Sequence, residues 1–178
     1  MLYKSFPLLI LIMFVFGHAG LTTGLIYLIS RKRFSVDYRY VILGSLLSDI
    51  IDKPLGNILL YNILNNGRII GHSLVFVLLL TAIGIYRKNI LYVAFGVWMH
   101  LFLDSMWLNQ ITLFWPLLGN FQHADFSFLE LASNFIQPYN YIGEILGLSA
   151  IALLTLRYKL YRPDNLSYFA STGILKRL

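Results

Sequence analysis

The chain has 178 residues, of which 58% are hydrophobic and 12% charged; soluble domains run at roughly 45–50% and about 25%, so an ordinary water-soluble core is excluded and lipid is the expected solvent. The formal net charge of +6 is spread in short clusters between apolar runs, and so reports membrane topology and not a nucleic-acid partner. Cysteine is absent, which excludes disulfides, thiolate nucleophiles and Cys-ligated zinc and leaves His and carboxylate as the only strong metal ligands.

Five apolar runs approach the ~20 residues that a bilayer crossing needs: 7–29, 40–60, 69–86, 90–108 and 139–156. The first follows Lys4 and carries small residues around Gly17-His18-Ala19, the outline of a secretory signal. It is read as a span, because no soluble domain follows it. The second holds Lys53-Pro54, and a proline lacks the amide that an inner helical turn requires. The helix is therefore expected to kink or break just after Asp52. Irregular backbone at membrane depth survives only where protein or a wet cavity covers it, so the break points to an internal polar site.

Lys and Arg gather after the first run (Arg31, Lys32, Arg33, Arg39), between the third and fourth (Arg87, Lys88) and after the fifth (Arg157, Lys159, Arg162, Lys176, Arg177). Placing these clusters in the cytoplasm leaves Lys4, Lys53 and Arg68 on the other side. The expectation is an all-α integral membrane helical bundle of about five spans. The N-terminus lies outside the cell membrane and the C-terminus in the cytoplasm. Residues 1–162 form a single transmembrane domain, and 163–178 a loosely ordered polar cytoplasmic tail. The aromatic connection 109–138 is expected at the outer interface as a lid.

Four of the eight acidic residues (Asp49, Asp52, Asp104, Glu144) and three of the four histidines (His18, His72, His100) fall inside these runs. Each costs at least about 2.5–3.5 kcal/mol at a span centre unless it pairs, faces a cavity or binds an ion. His100 and Asp104 are four apart, Asp49 and Asp52 three apart, so each pair shares one helix face. His with carboxylate suits zinc, with manganese or iron as alternatives. The depths agree on one cluster in the outer half of the membrane. His123, in the loop, is expected to be exposed, and Ser73 to bond its own helix.

The blocks Gly44-Ser-Leu-Leu-Ser-Asp49-Ile-Ile-Asp52-Lys-Pro, Gly67-Arg68-Ile-Ile-Gly-His72-Ser73, His100-Leu-Phe-Leu-Asp104-Ser and Phe114-Trp-Pro-Leu-Leu-Gly119 resemble the YdjM-like family of membrane-bound metal-dependent hydrolases. The resemblance implies a helical membrane bundle and a hydrolytic metal centre with ligands at His18, Asp49, Asp52, His72, His100 and Asp104. Two departures stand out. The family often has Pro-Asp-x-Asp where this chain has Ser48-Asp49-x-x-Asp52, and a His and a Thr where it has Gly67 and Gly71.

As a hydrolase the protein is expected to use metal-activated water. Asp52 or Glu144 would accept the proton, and Arg68, with Lys53, would hold a phosphate. A site inside the bilayer favours a substrate already there, a lipid phosphoester ahead of a lipid amide or ester. The bland readings are a snorkelling Lys53 and a Glu144 placed at a helix start by the dipole. The rival functions are a metal-ion or proton transporter or channel and a non-catalytic metal-binding membrane protein.

Overall fold

The computed structural model describes residues 14–30, 34–123 and 137–176. All regular structure among them is helical: α1 (Val15–Ser30), α2 (Tyr38–Pro54), α3 (Leu74–Tyr86), α4 (Lys88–Leu103), α5 (Gln110–Leu113), α6 (Pro138–Tyr158) and α7 (Pro163–Thr172), with shorter irregular turns between them. The main helices lie as a series of neighbours, α6 on α1, α1 on α2, α2 on α4 and α4 on α3.

Two of these seams depend on glycine. A Cβ on Gly96 of α4 would collide with the backbone of Val41, Gly44 and Ser45 on α2, and one on Gly20 of α1 would collide with Gly147 of α6. Small residues of this kind let helices approach closely in lipid, where packing and not the hydrophobic effect holds them together.

Five long helices follow the five apolar runs. Among the described residues only α6, which at 21 residues covers its whole run, is by itself long and apolar enough to cross a bilayer; α1, α3 and α4 are shorter apolar helices. The 13 residues of α3 span only about 20 Å at 1.5 Å per residue, against a hydrocarbon core of about 30 Å. In the third and fourth runs part of the apolar sequence lies outside the long helices. Ile70–His72 form a 3-10 turn before Ser73 caps α3 by accepting from the Phe76 amide. At its far end α4 stops where Ser105 turns left-handed at φ 52°, and Met106–Leu108 follow as a second 3-10 turn.

The break expected near Pro54 is a change of hydrogen-bond register. Pro54 keeps helical angles, and the chain continues as a π-helix over Leu55–Leu59. The wider register accommodates the missing proline amide without ending the coil.

The sorting of side chains is inverted relative to a water-soluble protein. Ile50, Leu78, Leu79, Ile85, Phe102 and Leu153 are exposed, whereas His18, Ser45, Ser48, Asp52, His72 and His100 are almost wholly buried. Apolar surface turned outward at this density is what lipid, not water, rewards.

The tail after Arg162 is folded. Helix α7 docks against the start of α2, where the Tyr38 amide donates to Gly173 O at 2.9 Å. The Arg39 guanidinium donates to Ala170 O and Ser171 O, both at 2.8 Å, and also grips Asp37. A cation on the last carbonyls of a helix satisfies groups that have no intrahelical partner. The expectation of a loosely ordered tail missed this, because the order comes from an arginine 131 residues away. The lid expected over 109–138 lies largely outside the described residues; within them, residues 110–113 form the short helix α5.

Candidate metal centre

The cluster forms at one end of the bundle, where α1 and α3 begin and α2 and α4 finish. His18 comes from α1, Asp49 and Asp52 from α2, His72 from the 3-10 turn, His100 from α4 and Asp104 from the residue that closes α4. All but Asp49 are at most 5% exposed. Asp49 is half-buried, and its Oδ2 accepts from Lys53 Nζ at 2.6 Å at the rim.

Two overlapping groups of side chains can hold a metal ion: His18, His100 and Asp104; and Asp49, His72 and His100, with the ligand atoms in each within 4.8 Å of one another. His72 Nε2 and His100 Nε2 are 3.1 Å apart. Asp49 Oδ1 is 3.7 Å from the first and 3.8 Å from the second. Asp104 Oδ2 stands 3.9 Å from His72 Nε2, and Asp104 Oδ1 is 3.2 Å from His18 Nε2. Neither ring nitrogen of His18 has a hydrogen-bond partner among the described residues.

The outward ring nitrogens of His72 and His100 are both spoken for. His100 Nδ1 lies 2.8 Å from the Ser45 carbonyl, which can only accept, so that nitrogen carries the proton. His72 Nδ1 lies 2.7 Å from Asp52 Oδ2. That oxygen already accepts from the amides of Ile69 and His72, and Asp52 Oδ1 accepts from Gly71; Asp52 is therefore an acceptor here, and His72 Nδ1 is the donor. The network fixes both tautomers. It leaves the two Nε2 atoms as lone pairs pointing at each other across 3.1 Å, an arrangement that calls for a cation between them. The donor set thus fits a divalent metal on the chemistry of its own atoms.

Asp52, expected as a ligand and as a base, belongs to neither group. Its two oxygens are occupied by four donors, and it orients His72 from behind, as carboxylates commonly do for metal-bound histidines. Glu144, the other expected base, also stands outside both groups. It accepts from the amides of Phe16 at 3.2 Å and Gly17 at 2.7 Å, supplying a cap for the first turn of α1 from a neighbouring helix. Arg68 does reach the cluster, donating from Nη2 to Asp104 Oδ2 at 2.8 Å. His123 is exposed and outside both groups, and Ser73 donates to Ile70 O in its own turn.

Sequence reasoning missed the Ser45 carbonyl and the three amides on Asp52, since a backbone group leaves no trace in residue identity. One trace was available. A Cβ at Gly71 would stand 3.0 Å from Asp52 Oδ1 and from Ser48 Cα, so the glycine marks where the turn presses on α2. At Gly67 the nearest side chains are those of Asn57 and Lys53, outside both groups.

No curated protein and no solved structure matches the chain. The family model described as YdjM inner membrane protein matches residues 13–165, a stretch that contains every residue of the cluster. The chain belongs to the YdjM inner membrane protein family.

Proposed function

We propose that this protein is a membrane-embedded, metal-dependent hydrolase acting on a lipid phosphoester, ahead of a lipid amide or ester. The observation that carries the reading is the pair of opposed lone pairs on His72 and His100, with carboxylates of Asp49 and Asp104 beside them. His, Asp and no thiolate suits zinc, with manganese or iron as alternatives. A divalent cation held there supplies Lewis acidity and a water acidified towards neutrality. Around it Asp52 holds the His72 ring, and Arg68 steadies Asp104 while offering the guanidinium geometry that suits a phosphate. Lys53, 46% exposed and paired with Asp49, marks the mouth.

The setting supports a substrate that lives in the membrane: the family is one of inner membrane proteins, and the cluster sits at one end of an outwardly apolar bundle. We assign that end to the outer face, with the C-terminus in the cytoplasm, from the distribution of Lys and Arg.

A conduit for ions is disfavoured by the layer beneath the cluster. Ile26, Val41 and Tyr92 are buried together in one apolar core. Each lies eight residues from a cluster member on its own helix (His18, Asp49 and His100), a drop of about 12 Å.

The test is release of a water-soluble phosphate product from mixed phospholipid vesicles by the purified protein. Turnover should vanish with chelator, return with Zn²⁺, and be absent in Asp49→Ala and His100→Ala. Turnover that ignores the chelator would sink the proposal.

A further inference from the structure

We infer that the centre takes a single ion, seated by Asp49, His72 and His100 with Asp104 beside them, and that His18 lies outside the coordination as a positioning residue for Asp104. The inference rests on the metal-site reading above and deepens it by fixing the number of ions and the set of ligands.

The two Nε2 atoms and Asp49 Oδ1 form a triangle with sides of 3.1, 3.7 and 3.8 Å. The point equidistant from three such corners lies inside the triangle, about 2.1 Å from each, which is the length of a zinc bond to imidazole or carboxylate, about 2.0–2.2 Å. The side chains already stand at bonding distance from one common point. Asp104 Oδ2 stands beside this triangle, 3.9 Å from His72 Nε2.

The lone pair of an imidazole nitrogen lies in the plane of its ring. His18 and His100 are stacked, with centroids 4.1 Å apart and planes inclined by only 25°. Planes so nearly parallel meet far beyond bonding distance, so one ion cannot lie along the lone pairs of both rings. His72 and His100, inclined at 67°, have planes that do cross between them. Closeness alone puts His18 in a ligand group; orientation takes it out.

His100 belongs to both groups, but its Nδ1 is committed to the Ser45 carbonyl, so it has one lone pair to give. Two ions cannot both be served by it. His18 instead has Nε2 3.2 Å from Asp104 Oδ1, a close polar contact without hydrogen-bond geometry, while Arg68 takes Asp104 Oδ2. Asp104 is thus flanked from two sides.

The test uses the full chain purified in detergent. Zn²⁺ bound to the wild type, measured by elemental analysis after dialysis, should be one per chain, and X-ray absorption of that sample should count two imidazoles. His18→Gln, whose amide keeps a polar group beside Asp104, should keep one ion with affinity weakened roughly tenfold, and His18→Ala should be weaker still. His72→Ala and His100→Ala should lose the ion. Two ions per chain, three imidazoles in the absorption spectrum, or His18→Gln losing the ion as fully as His100→Ala would each overturn the inference while leaving a metal centre in place. A wild type with no bound zinc would instead bring down the metal-site reading itself.

Discussion

Asp52 and His72 are joined by a 2.7 Å hydrogen bond from a ring nitrogen to a carboxylate oxygen that no part of the solvent reaches, and the same carboxylate gathers the amides of the turn that carries His72. One side chain thereby sets both the position and the tautomer of the histidine. Replacing it by asparagine keeps the shape and removes the charge. The carboxamide oxygen can take the place of Oδ2 and still accept from His72 Nδ1 and the Ile69 and His72 amides, but its NH₂ then opposes the Gly71 amide that Oδ1 accepted from, and the ring loses its anionic partner. Asp52→Asn is expected to weaken Zn²⁺ affinity by about 10–100-fold while leaving the helical circular dichroism unchanged. Asp52→Ala additionally strands buried amides, at about 1–3 kcal/mol each, and should unfold at visibly lower temperature. Unchanged zinc affinity in Asp52→Asn would remove Asp52 from the site.

Glu144 gives the opposite expectation. Its carboxylate caps α1 through Phe16 and Gly17, and a lost cap costs about 1 kcal/mol. Glu144→Gln should lower the melting temperature slightly, keep the bound metal and keep most of the turnover. Loss of hydrolysis by orders of magnitude with metal retained would restore Glu144 as the base.

Bound metal should stabilise the fold, because the ligands come from α2, the 3-10 turn and the end of α4 and meet only when these pack. At free Zn²⁺ a hundredfold above its dissociation constant the linkage amounts to about 2.7 kcal/mol. Chelation should therefore lower the melting temperature of the wild type by several degrees and leave a His72→Ala/His100→Ala double variant unmoved. Equal responses would mean that the chelator acts elsewhere.

Arg39 links the far ends of the chain. Arg39→Ala removes the donors on Ala170 O and Ser171 O, so α7 should detach more often. Limited trypsin digestion should then cut within the tail, after Lys176 and Arg177, several times faster than in the wild type, with metal content unchanged. An unchanged digestion rate would show that α7 is held by its apolar contacts alone.

The cluster was legible in the sequence because burying His and Asp in lipid is so costly that several in one small chain demand a shared purpose. His18, Asp49, His72, His100 and Asp104 all arrive there. The division of labour among them was not legible. It depends on ring planes and backbone acceptors, such as the Ser45 carbonyl, that residue spacing does not encode. The helix ends were misjudged for a related reason: Ile69, Ile70 and Met106 are as apolar as any span residue, yet they sit in turns whose backbone is satisfied by Asp52 or by the next short helix. The tail was read as loose from its polarity, and its anchor lies at Arg39, in a part of the sequence that reads as a topology signal.

Ile26, Val41 and Tyr92 lie buried together about 12 Å along α1, α2 and α4 from His18, Asp49 and His100. No charged side chain stands between the two levels on any of these three helices, so the ionisable groups of the cluster end where the apolar packing begins.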